Sequence, residues 1–400
     1  VQPPDGNHLE ESGGDGGMKW EKVKLGDIAT FSNGINFNKT AYAKGIKLIG
    51  VSNFGDRFYP DYSQLQEVKK DIVRLEDCLR NGDIVFVRSN GNKELVGRCM
   101  LVKNPTERVT YSGFCIRARL NDTDRYDPVY FTYYFKSKAF RRAVSGTAVG
   151  ANIQNLSQAR LSNHECRIPS IEVQHRIADI LSAYDDLIEN NQKQIKLLEE
   201  VAQRLYKEWF VNLRFPGHEN TKIVDGVPEE WRKFPLEEIA PVVTGKKDAN
   251  YGDKGGNYPF FTCSQETITA PGYSFDTSAV ILAGNGAFNV KLYRGKFEAY
   301  QRTYVLAPFD HSNLFNLYFT VQNNMEALAK GASGSTIKFL TKGMLQKILV
   351  LTADKKILDK FNDYEENIQQ KVEALKKQVE DLTEIRNRLL PKLMSGEVEV

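Results

Sequence analysis

Residues 171–210 read IEVQHRIADILSAYDDLIENNQKQIKLLEEVAQRLYKEWF, and this stretch decides the fold. From Ile177 onward its apolar residues recur with gaps that alternate between four and three positions. Such heptad spacing predicts a long helix that packs one apolar stripe against another helix. The stripe contains Ile177, Leu181, Tyr184, Ile188, Asn191, Ile195, Leu198, Ala202, Leu205 and Trp209. Asn191 is its polar member, and a polar residue at such a position can fix the register of a helix pair.

A second heptad stripe lies near the C-terminus. It contains Leu358, Phe361, Glu365, Ile368, Val372, Leu375, Val379, Leu382, Arg386 and Leu389, so Glu365 and Arg386 interrupt it. Two such stripes in one chain indicate that the two helices pair with each other. Pro391 is expected to end or kink the second helix.

The globular parts of the chain are duplicated. Leu25 and Leu236, like Gly34 and Gly245, stand 211 positions apart within similar opening segments. Residues 82–90 resemble residues 278–286, where an apolar strand runs into a polar loop. Residues 146–161 resemble residues 331–345, and each copy then leads into its own long helix. A two-fold relation between the copies would make the helices antiparallel, with one domain at each end.

We therefore predict an α+β fold in which two mixed α/β domains are separated by two long antiparallel helices that form an intramolecular coiled coil. The predicted segments are a flexible leader (1–17, which we attribute to cloning, with Met18 as the native start), domain 1 (18–168), the central helix (169–215), domain 2 (216–352) and the C-terminal helix (353–400).

Composition narrows the class of protein. No apolar run approaches the roughly 18 residues of a membrane span, and no signal peptide is visible. The five cysteines form no CxxC pair, which argues against a zinc site or a disulfide framework. These features predict a soluble cytoplasmic protein with reduced cysteines.

The net charge of +3 conceals an uneven distribution. Residues 18–168 hold 25 Lys and Arg against 15 Asp and Glu, whereas the helical segments are slightly acidic. A folded block with ten surplus positive charges is typical of a domain that binds a polyanion such as DNA or RNA.

Signals for catalysis are weak. Asp61, Glu67 and Lys69 loosely imitate a metal-dependent nuclease, but a solvated loop explains them better. His164 and Cys166 lack a second pair at zinc spacing. There is no P-loop and no methyltransferase motif of the Asn/Asp-Pro-Pro-aromatic type. We therefore predict no catalytic residue and no metal ligand.

Residues suited to DNA recognition lie in polar loops after strand-like runs. Arg can read guanine and Asn can read adenine in the major groove, while Lys and Arg also hold phosphates. An ordinary polar turn or a solvated helix end explains each loop about equally well. The candidates are Asn36, Asn38, Lys39, Arg88, Ser89, Asn90, Asn92, Lys93, Arg141, Arg142, Lys246, Lys247, Asn285, Lys291 and Arg294.

Three segments resemble the specificity subunits of type I restriction-modification systems. They are residues 168–181 (IPSIEVQHRIADIL), residues 197–210 (LLEEVAQRLYKEWF) and residues 382–396 (LTEIRNRLLPKLMSG). The match is concentrated in the helices and their entries, and the globular blocks match only where they open and close. The second helix entry, residues 351–360, lacks the Pro and Gln of the usual pattern.

The resemblance implies a non-catalytic subunit that reads a bipartite target in double-stranded DNA, one half with each domain, while the helix pair sets the gap. It implies two modification subunits docked on the helices, which bind S-adenosylmethionine and methylate adenine at N6. Restriction subunits complete the ATP-dependent nuclease, so S-adenosylmethionine, ATP and Mg are expected on the partners and no cofactor on this chain.

Two other functions stay open. The first is a coiled-coil scaffold whose basic domains bind RNA or protein, which the charge of domain 1 fits equally well. The second is a nuclease that uses Asp61, Glu67 and Lys69, which predicts magnesium-dependent cleavage by the isolated chain.

Overall fold

The computed structural model describes residues 20–55, 57–89, 95–144, 155–286, 288–332, 334 and 338–400. The chain divides into two compact units. Unit 1 comprises the described residues up to Asn190 together with Gln378–Val400, and unit 2 comprises Asn191–Lys377. Each unit contains one globular domain and a part of each long helix.

Domain 1 is built on small sheets with short helices against them. Its strands are β1 (Glu21–Lys24), β2 (Ala29–Asn33), β3 (Tyr42–Ile49), β4 (Gln66–Val68), β5 (Ile84–Val87), β6 (Cys99–Leu101), β7 (Val109–Tyr111), β8 (Cys115–Leu120) and β9 (Glu165–Ile168). Its helices are α1 (Leu25–Ile28), α2 (Pro128–Lys136), α3 (Lys138–Val144) and α4 (Gln158–Ser162). The sheet orders are β2-β8-β5-β6, β4-β3-β7 and β1-β9.

Domain 2 lies in unit 2 and is built the same way. In chain order, domain 1 is followed by α5 (Ile171–Tyr206), which continues as a π-helical turn (Lys207–Val211). The strands of domain 2 are β10 (Ile223–Val224), β11 (Val227–Pro228), β12 (Arg232–Pro235), β13 (Val242–Thr244), β14 (Tyr258–Phe261), β15 (Ile268–Ala270), β16 (Phe275–Ala283), β17 (Val290–Ala299), β18 (Thr303–Leu306) and β19 (Leu349–Thr352). The helices are α6 (Leu236–Ile239), α7 (Leu314–Gly331), α8 (Lys342–Gln346) and then α9 (Lys355–Ser395).

The two domains share one topology. The order β2-β8-β5-β6 of domain 1 corresponds to β13-β18-β16-β17 of domain 2. The parallel pair β3·β7 with its antiparallel neighbour β4 corresponds to β14·β17 with β15. In both domains the strand directly before the first helix pairs with the last strand, as β1 with β9 and β12 with β19. The α+β fold with two related domains is thus confirmed.

Local sequence explains the central elements of domain 1. Strand β5 reads IVFV, and because all four of its residues are buried, an uninterrupted apolar run suits it. Helix α2 follows Asp127, whose carboxylate accepts from the backbone N–H of Val129, and Pro128 fills the first helical position, where no N–H is needed. The aromatic residues of α2, including Tyr130 and Phe135, pack in the core. They are core residues rather than a base-stacking platform.

The predicted stripe residues avoid solvent along both helices. The twelve central ones are Ile177, Leu181, Tyr184, Ile188, Ile195, Leu198 and Leu205 on α5, and Ile368, Val372, Leu375, Val379 and Leu382 on α9, and each is buried or half-buried. By contrast, three apolar residues of α5 outside the stripe, Leu187, Leu197 and Val201, are at least half exposed. The heptad pattern therefore distinguishes the packed face of α5 from its open face.

Within each unit the two helices run in opposite directions. In unit 1, Asp185 of α5 pairs with Arg386 near the end of α9. In unit 2, Glu199 of α5 pairs with Lys376, which lies nearer the start of α9, at 3.1 Å. In unit 1, Ile177 of α5 also shares a core cluster with Leu393 of α9. In unit 2, the ring centroid of Trp209, in the turn that continues α5, lies 5.7 Å from that of Phe361 on α9. Within each unit, residue numbers thus rise along α5 while those of the partners on α9 fall, so the pairing is antiparallel. Helix α9 continues through Pro391 to Ser395, so Pro391 does not end the helix, and a kink at this residue stays a prediction.

Arg386, which interrupts the second stripe, is neutralised in unit 1. Its guanidinium pairs with Asp185, and the hydroxyl of Tyr133 donates to the same carboxylate at 2.6 Å. Burial and the nearby Asp185 carboxylate both raise the pKa of Tyr133, which therefore stays a neutral donor. The interruption is thus a polar network that joins both helices to domain 1.

Replacement of Arg386 by alanine should destabilise unit 1 by about 1–2 kcal/mol, because it leaves the Asp185 carboxylate in a low-polarity setting without its cation. Urea unfolding of the full chain measures this cost. Arg388→Ala is the matched control, since Arg388 is 80% exposed and pairs with Glu384 one turn away at the surface of the helix. Equal effects of the two substitutions would show that the Asp185 pair adds nothing.

No helix in the described part of the chain is apolar enough over a sufficient length to span a lipid bilayer.

Candidate nucleic-acid interface

Four backbone segments of domain 1 meet at one edge of the β2-β8-β5-β6 sheet. The first contact joins the turn between β7 and β8 to the loop after β2, since the Gly113 N–H of the turn donates to the Ile35 carbonyl at 2.7 Å. The Arg88 N–H then donates to the Phe114 carbonyl at 2.8 Å, and the Leu156 N–H donates to the Arg88 carbonyl at 2.9 Å. These bonds fix the loop after β2, the turn before β8, the end of β5 and the segment before α4 as one edge, here called edge 1.

Domain 2 repeats this arrangement bond for bond, at what is here called edge 2. The Gln301 N–H donates to the Lys247 carbonyl at 2.9 Å, and the Gly284 N–H donates to the Arg302 carbonyl at 2.9 Å. The Leu340 N–H donates to the Gly284 carbonyl at 2.8 Å. Edge 2 therefore consists of the loop after β13, the turn before β18, the end of β16 and the segment before α8.

A glycine at the same point of each edge permits this close approach. A Cβ atom on Gly34 would lie 2.2 Å from the carbonyl oxygen of Tyr111, and one on Gly245 would lie 1.9 Å from that of Ala299. Neither distance is compatible with a side chain, so only glycine fits. The pair was visible in the sequence at its fixed offset, and the structure supplies the reason for it.

The shared backbone bonds establish which side chains correspond. Phe114 at the tip of edge 1 corresponds to Arg302, and Arg88 corresponds to Gly284. Asn155, which pairs with Ser89 across the edge, corresponds to Phe339, which pairs with Asn285. The two edges thus share a backbone frame and differ in the groups they present.

Several predicted residues of domain 1 lie on edge 1. Arg88 and Ser89 are half-buried at the end of β5, where a guanidinium nitrogen of Arg88 donates to the Gly113 carbonyl at 3.3 Å. Asn36 and Lys39 are exposed in the loop after β2. Asn38 has a local role, since its side-chain oxygen accepts from the backbone N–H of Thr40.

The other candidates of domain 1 lie elsewhere. Asn90, Asn92 and Lys93 fall outside the described residues. Arg141 and Arg142 lie on α3, which is not one of the segments that form edge 1. For these two, phosphate contact stays a prediction.

Three of the predicted residues in domain 2 belong to edge 2. Lys246 is exposed and Lys247 is half-buried after β13, and the ammonium of Lys247 lies 4.5 Å from the ring centroid of Tyr251. Asn285 follows β16 and pairs with Phe339. A cation and an amide thus stand on the same edge as Arg302.

Lys291 and Arg294 require correction, because both are engaged within unit 2. The Lys291 ammonium donates to the Ser264 carbonyl at 3.0 Å, and burial lowers its pKa. The Arg294 guanidinium pairs with Glu366 of α9 at 2.7 Å and lies 5.0 Å from the ring centroid of Phe315. These contacts hold β17 to its surroundings, so we withdraw both residues as DNA contacts.

The candidates for catalysis are occupied by structural contacts. Hydrogen bonds from Ser63 and Arg57 lower the pKa of Asp61, and the Glu67 carboxylate accepts from the Gly45 N–H at 2.6 Å. The His164 Nε2 lies 2.8 Å from the Tyr134 hydroxyl, and burial lowers the pKa of this histidine. Among the described residues no group of three His, Cys, Asp or Glu side chains is arranged to hold a metal ion.

The residues of the edges that the sequence did not single out are Phe114, Asn155, Arg302 and Phe339. No local pattern distinguishes an aromatic residue at a turn from one in the core. The duplication could have identified two of these residues. When residues 146–161 are aligned with residues 331–345 from their C-terminal ends, Asn155 stands opposite Phe339.

Comparison with protein families gives a match over most of the chain. The model described as the type I restriction modification DNA specificity domain matches residues 18–200 and 228–381. The EcoDI specificity subunit of Escherichia coli is 37% identical over 176 residues, which cover 43% of this chain and 39% of that protein. The HindI specificity subunit of Haemophilus influenzae is 23% identical over 95% of this chain and 99% of its own length. These relatives are named as type I restriction enzyme specificity subunits.

Among solved structures, the type I restriction-modification S subunit from M. genitalium matches with a TM-score of 0.61 and 18% identity. The match covers 97% of this chain and 98% of that one. At this identity the likeness shows the fold, which is the one predicted from the two heptad stripes and the duplicated domains.

Proposed function

The chain belongs to the type I restriction-modification DNA specificity family, and from that membership we propose that each domain reads one half of a split sequence in duplex DNA. The observation that carries the proposal is the pair of edges, which share a backbone frame and differ in side chains. A duplicated frame with divergent groups suits two related readers that recognise different bases. Its relatives are specificity subunits, so recognition rather than catalysis is the role assigned to this chain.

Charge supports a nucleic-acid ligand, and the family supports the choice of DNA. The ten surplus positive charges of residues 18–168 supply a sequence-independent attraction to phosphates, and the edge residues then discriminate between bases. Edge 1 offers Arg88 and the amides of Asn36 and Asn155, which are the donor and acceptor groups that read guanine and adenine.

The long helices suit a second role, the binding of partner subunits. Helix α5 exposes Leu197 and Val201 one helical turn apart, although neither belongs to the heptad stripe. We propose that this open face docks modification subunits, two in the complete complex, and that the length of the helix pair sets the gap between the half-sites. S-adenosylmethionine, ATP and Mg would then belong to the modification and restriction subunits, and the complex would act in the cytoplasm.

The test is selection of DNA by the assembled protein. The chain, co-purified with its modification subunit, is incubated with 40-bp duplexes of randomised sequence, and the bound fraction is sequenced. Recovery of two short motifs at a fixed separation is the expected result. Recovery of no motif would reject sequence-specific reading.

The alternative, a scaffold that binds RNA or protein, is separated by competition. The same complex, loaded with labelled random duplex DNA, is titrated with unlabelled RNA of equal length over a range of salt concentrations. A specific DNA reader retains the selected duplex against RNA at salt concentrations that abolish non-specific binding. Equal displacement by RNA would favour the scaffold.

Replacement of Arg88 by alanine should weaken binding of the selected duplex by about 1–3 kcal/mol and relax the motif at one position of one half-site. The reason is that a bidentate Arg–guanine contact discriminates between bases, whereas a phosphate contact does not. Arg74→Ala is the matched control, because Arg74 is 80% exposed and pairs with Glu76 at the surface, away from edge 1. Uniform weakening across all sequences would reassign Arg88 to a phosphate.

A further inference from the structure

Each edge presents one exposed phenylalanine. Phe114 of edge 1 is 63% exposed although its neighbours Gly113 and Cys115 are buried, so its ring projects from a closed turn. Phe339 of edge 2 is 43% exposed and precedes the buried Leu340. The two residues are not equivalent in the repeat, yet both stand where the backbone bonds of an edge converge.

The turn that carries Phe114 is rigid. The Phe114 N–H donates to the hydroxyl of the buried Ser112 at 3.1 Å, and the Phe114 carbonyl accepts from the Arg88 N–H at 2.8 Å. The Cys115 N–H closes the turn on the Ser112 carbonyl at 2.8 Å. Because the backbone on both sides is fixed, little conformational entropy is lost when the ring meets a ligand.

Each ring stands on an edge that also holds an arginine. Arg88 adjoins Phe114 through its bond to the Gly113 carbonyl, and Arg302 stands on the edge that holds Phe339. An apolar ring beside a guanidinium suits the edge of a base pair, since Arg binds guanine while a phenylalanine packs on a thymine methyl group or a base face. A protein partner would not require this combination at two related edges.

We propose that Phe114 and Phe339 are base-contacting residues, each placing its ring against one base of the half-site that its domain reads. This inference rests on the proposed function and extends it, because it assigns specificity to two apolar side chains rather than to the polar loops alone. The prediction is that each phenylalanine affects one half of the target and leaves the other half unchanged.

The experiment repeats the selection from 40-bp random duplexes with the complex of chain and modification subunit, using Phe114→Ala and Phe339→Ala. Each variant should bind the wild-type motif about tenfold more weakly and select a motif that is degenerate at one or two positions of a single half-site. The degenerate half should differ between the two variants. Phe114→Tyr, which keeps the ring, should restore the full motif.

Two exposed apolar residues away from the edges serve as matched controls. Leu75, 70% exposed, is the control for Phe114 in unit 1, and Phe309, 70% exposed, is the control for Phe339 in unit 2. Alanine at either control position should leave the motif intact. Thermal unfolding of every variant checks that the folded state is retained.

The outcomes separate this inference from the proposed function. If the wild-type complex selects no motif, the proposed function fails. If it selects a split motif that Phe114→Ala and Phe339→Ala leave unchanged, or weaken equally at every position, the base contacts are overturned and the proposed function stands.

Discussion

Replacement of Phe361 by alanine should lower the free energy of unfolding of unit 2 by about 3–5 kcal/mol, the usual cost of removing a buried phenylalanine ring. Phe361 is fully buried on α9. Its ring centroid lies 4.9 Å from that of Phe210 and 5.7 Å from that of Trp209, and the ring of Phe319 from α7 lies 6.2 Å away. The substitution therefore opens a cavity where α5, α7 and α9 meet.

The measurement is chemical denaturation of the full chain, followed by tryptophan fluorescence, since Trp209 reports on this cluster. Tyr364→Ala is the matched control on the same helix, because Tyr364 is 49% exposed and meets only the edge of this cluster, at Trp209. Its cost should stay below about 1 kcal/mol. A cost for Phe361→Ala no larger than that of the control would contradict the packing of α9 in unit 2.

Replacement of Glu365 by glutamine should stabilise unit 2 at pH 8 by roughly 3 kcal/mol and leave its stability nearly unchanged at pH 5. Glu365 is fully buried in the stripe of α9, and neither carboxylate oxygen has a hydrogen-bond partner among the described residues. Burial raises the pKa of Glu365 from 4.5 to about 8. A pKa difference of one between the folded and unfolded states corresponds to about 1.4 kcal/mol of stability, and local relaxation of the structure reduces this cost.

The sign follows from the proton count. Between pH 4.5 and about 8 the unfolded chain releases the Glu365 proton while the folded chain keeps it. Because the folded state then binds more protons, its stability falls as the pH rises through this interval. Below pH 4.5 both states are protonated, and the difference disappears.

Urea unfolding at half-unit intervals from pH 4.5 to pH 8.5 measures this dependence. The wild-type chain should lose stability across the interval, and Glu365→Gln should lose much less. Glu373→Gln on the exposed face of the same helix is the control and should follow the wild-type curve. Parallel curves for the wild-type chain and Glu365→Gln would show that Glu365 is ionised in the folded state.

The two interruptions of the second stripe, Glu365 and Arg386, show what could be predicted from the sequence and what could not. Heptad counting identified both Glu365 and Arg386 as polar groups at positions that face a partner helix. It did not distinguish their environments, because the groups that meet them come from distant segments. Arg386 pairs with Asp185, to which the core residue Tyr133 also donates, whereas neither carboxylate oxygen of Glu365 has a hydrogen-bond partner among the described residues.

The candidate site residues also divide into those whose location could be predicted from the sequence and those whose surroundings could not. The sequence predicted Arg88, Ser89, Asn36, Lys246 and Asn285 because polar residues after an apolar strand mark a loop at the end of a sheet; the structure places them on the two edges, and DNA contact by them stays a prediction. Lys291 and Arg294 looked equivalent in the sequence, but both lie on β17, where neighbouring side chains and carbonyls satisfy their charges. A sequence shows which side chains carry a charge, but it does not show which groups of other segments lie close enough to bind that charge.

The sequence by itself determined the two helices, their pairing faces, the duplication of the domains and the family, because each depends on a periodicity or a motif that is local or repeats at a fixed offset. The tertiary structure decided which loops converge, that Phe114 and Phe339 project from the edges, and that the buried Glu365 carboxylate has no hydrogen-bond partner among the described residues. These properties depend on which distant backbone segments come within hydrogen-bond distance, and residue order alone does not encode that distance in any local pattern.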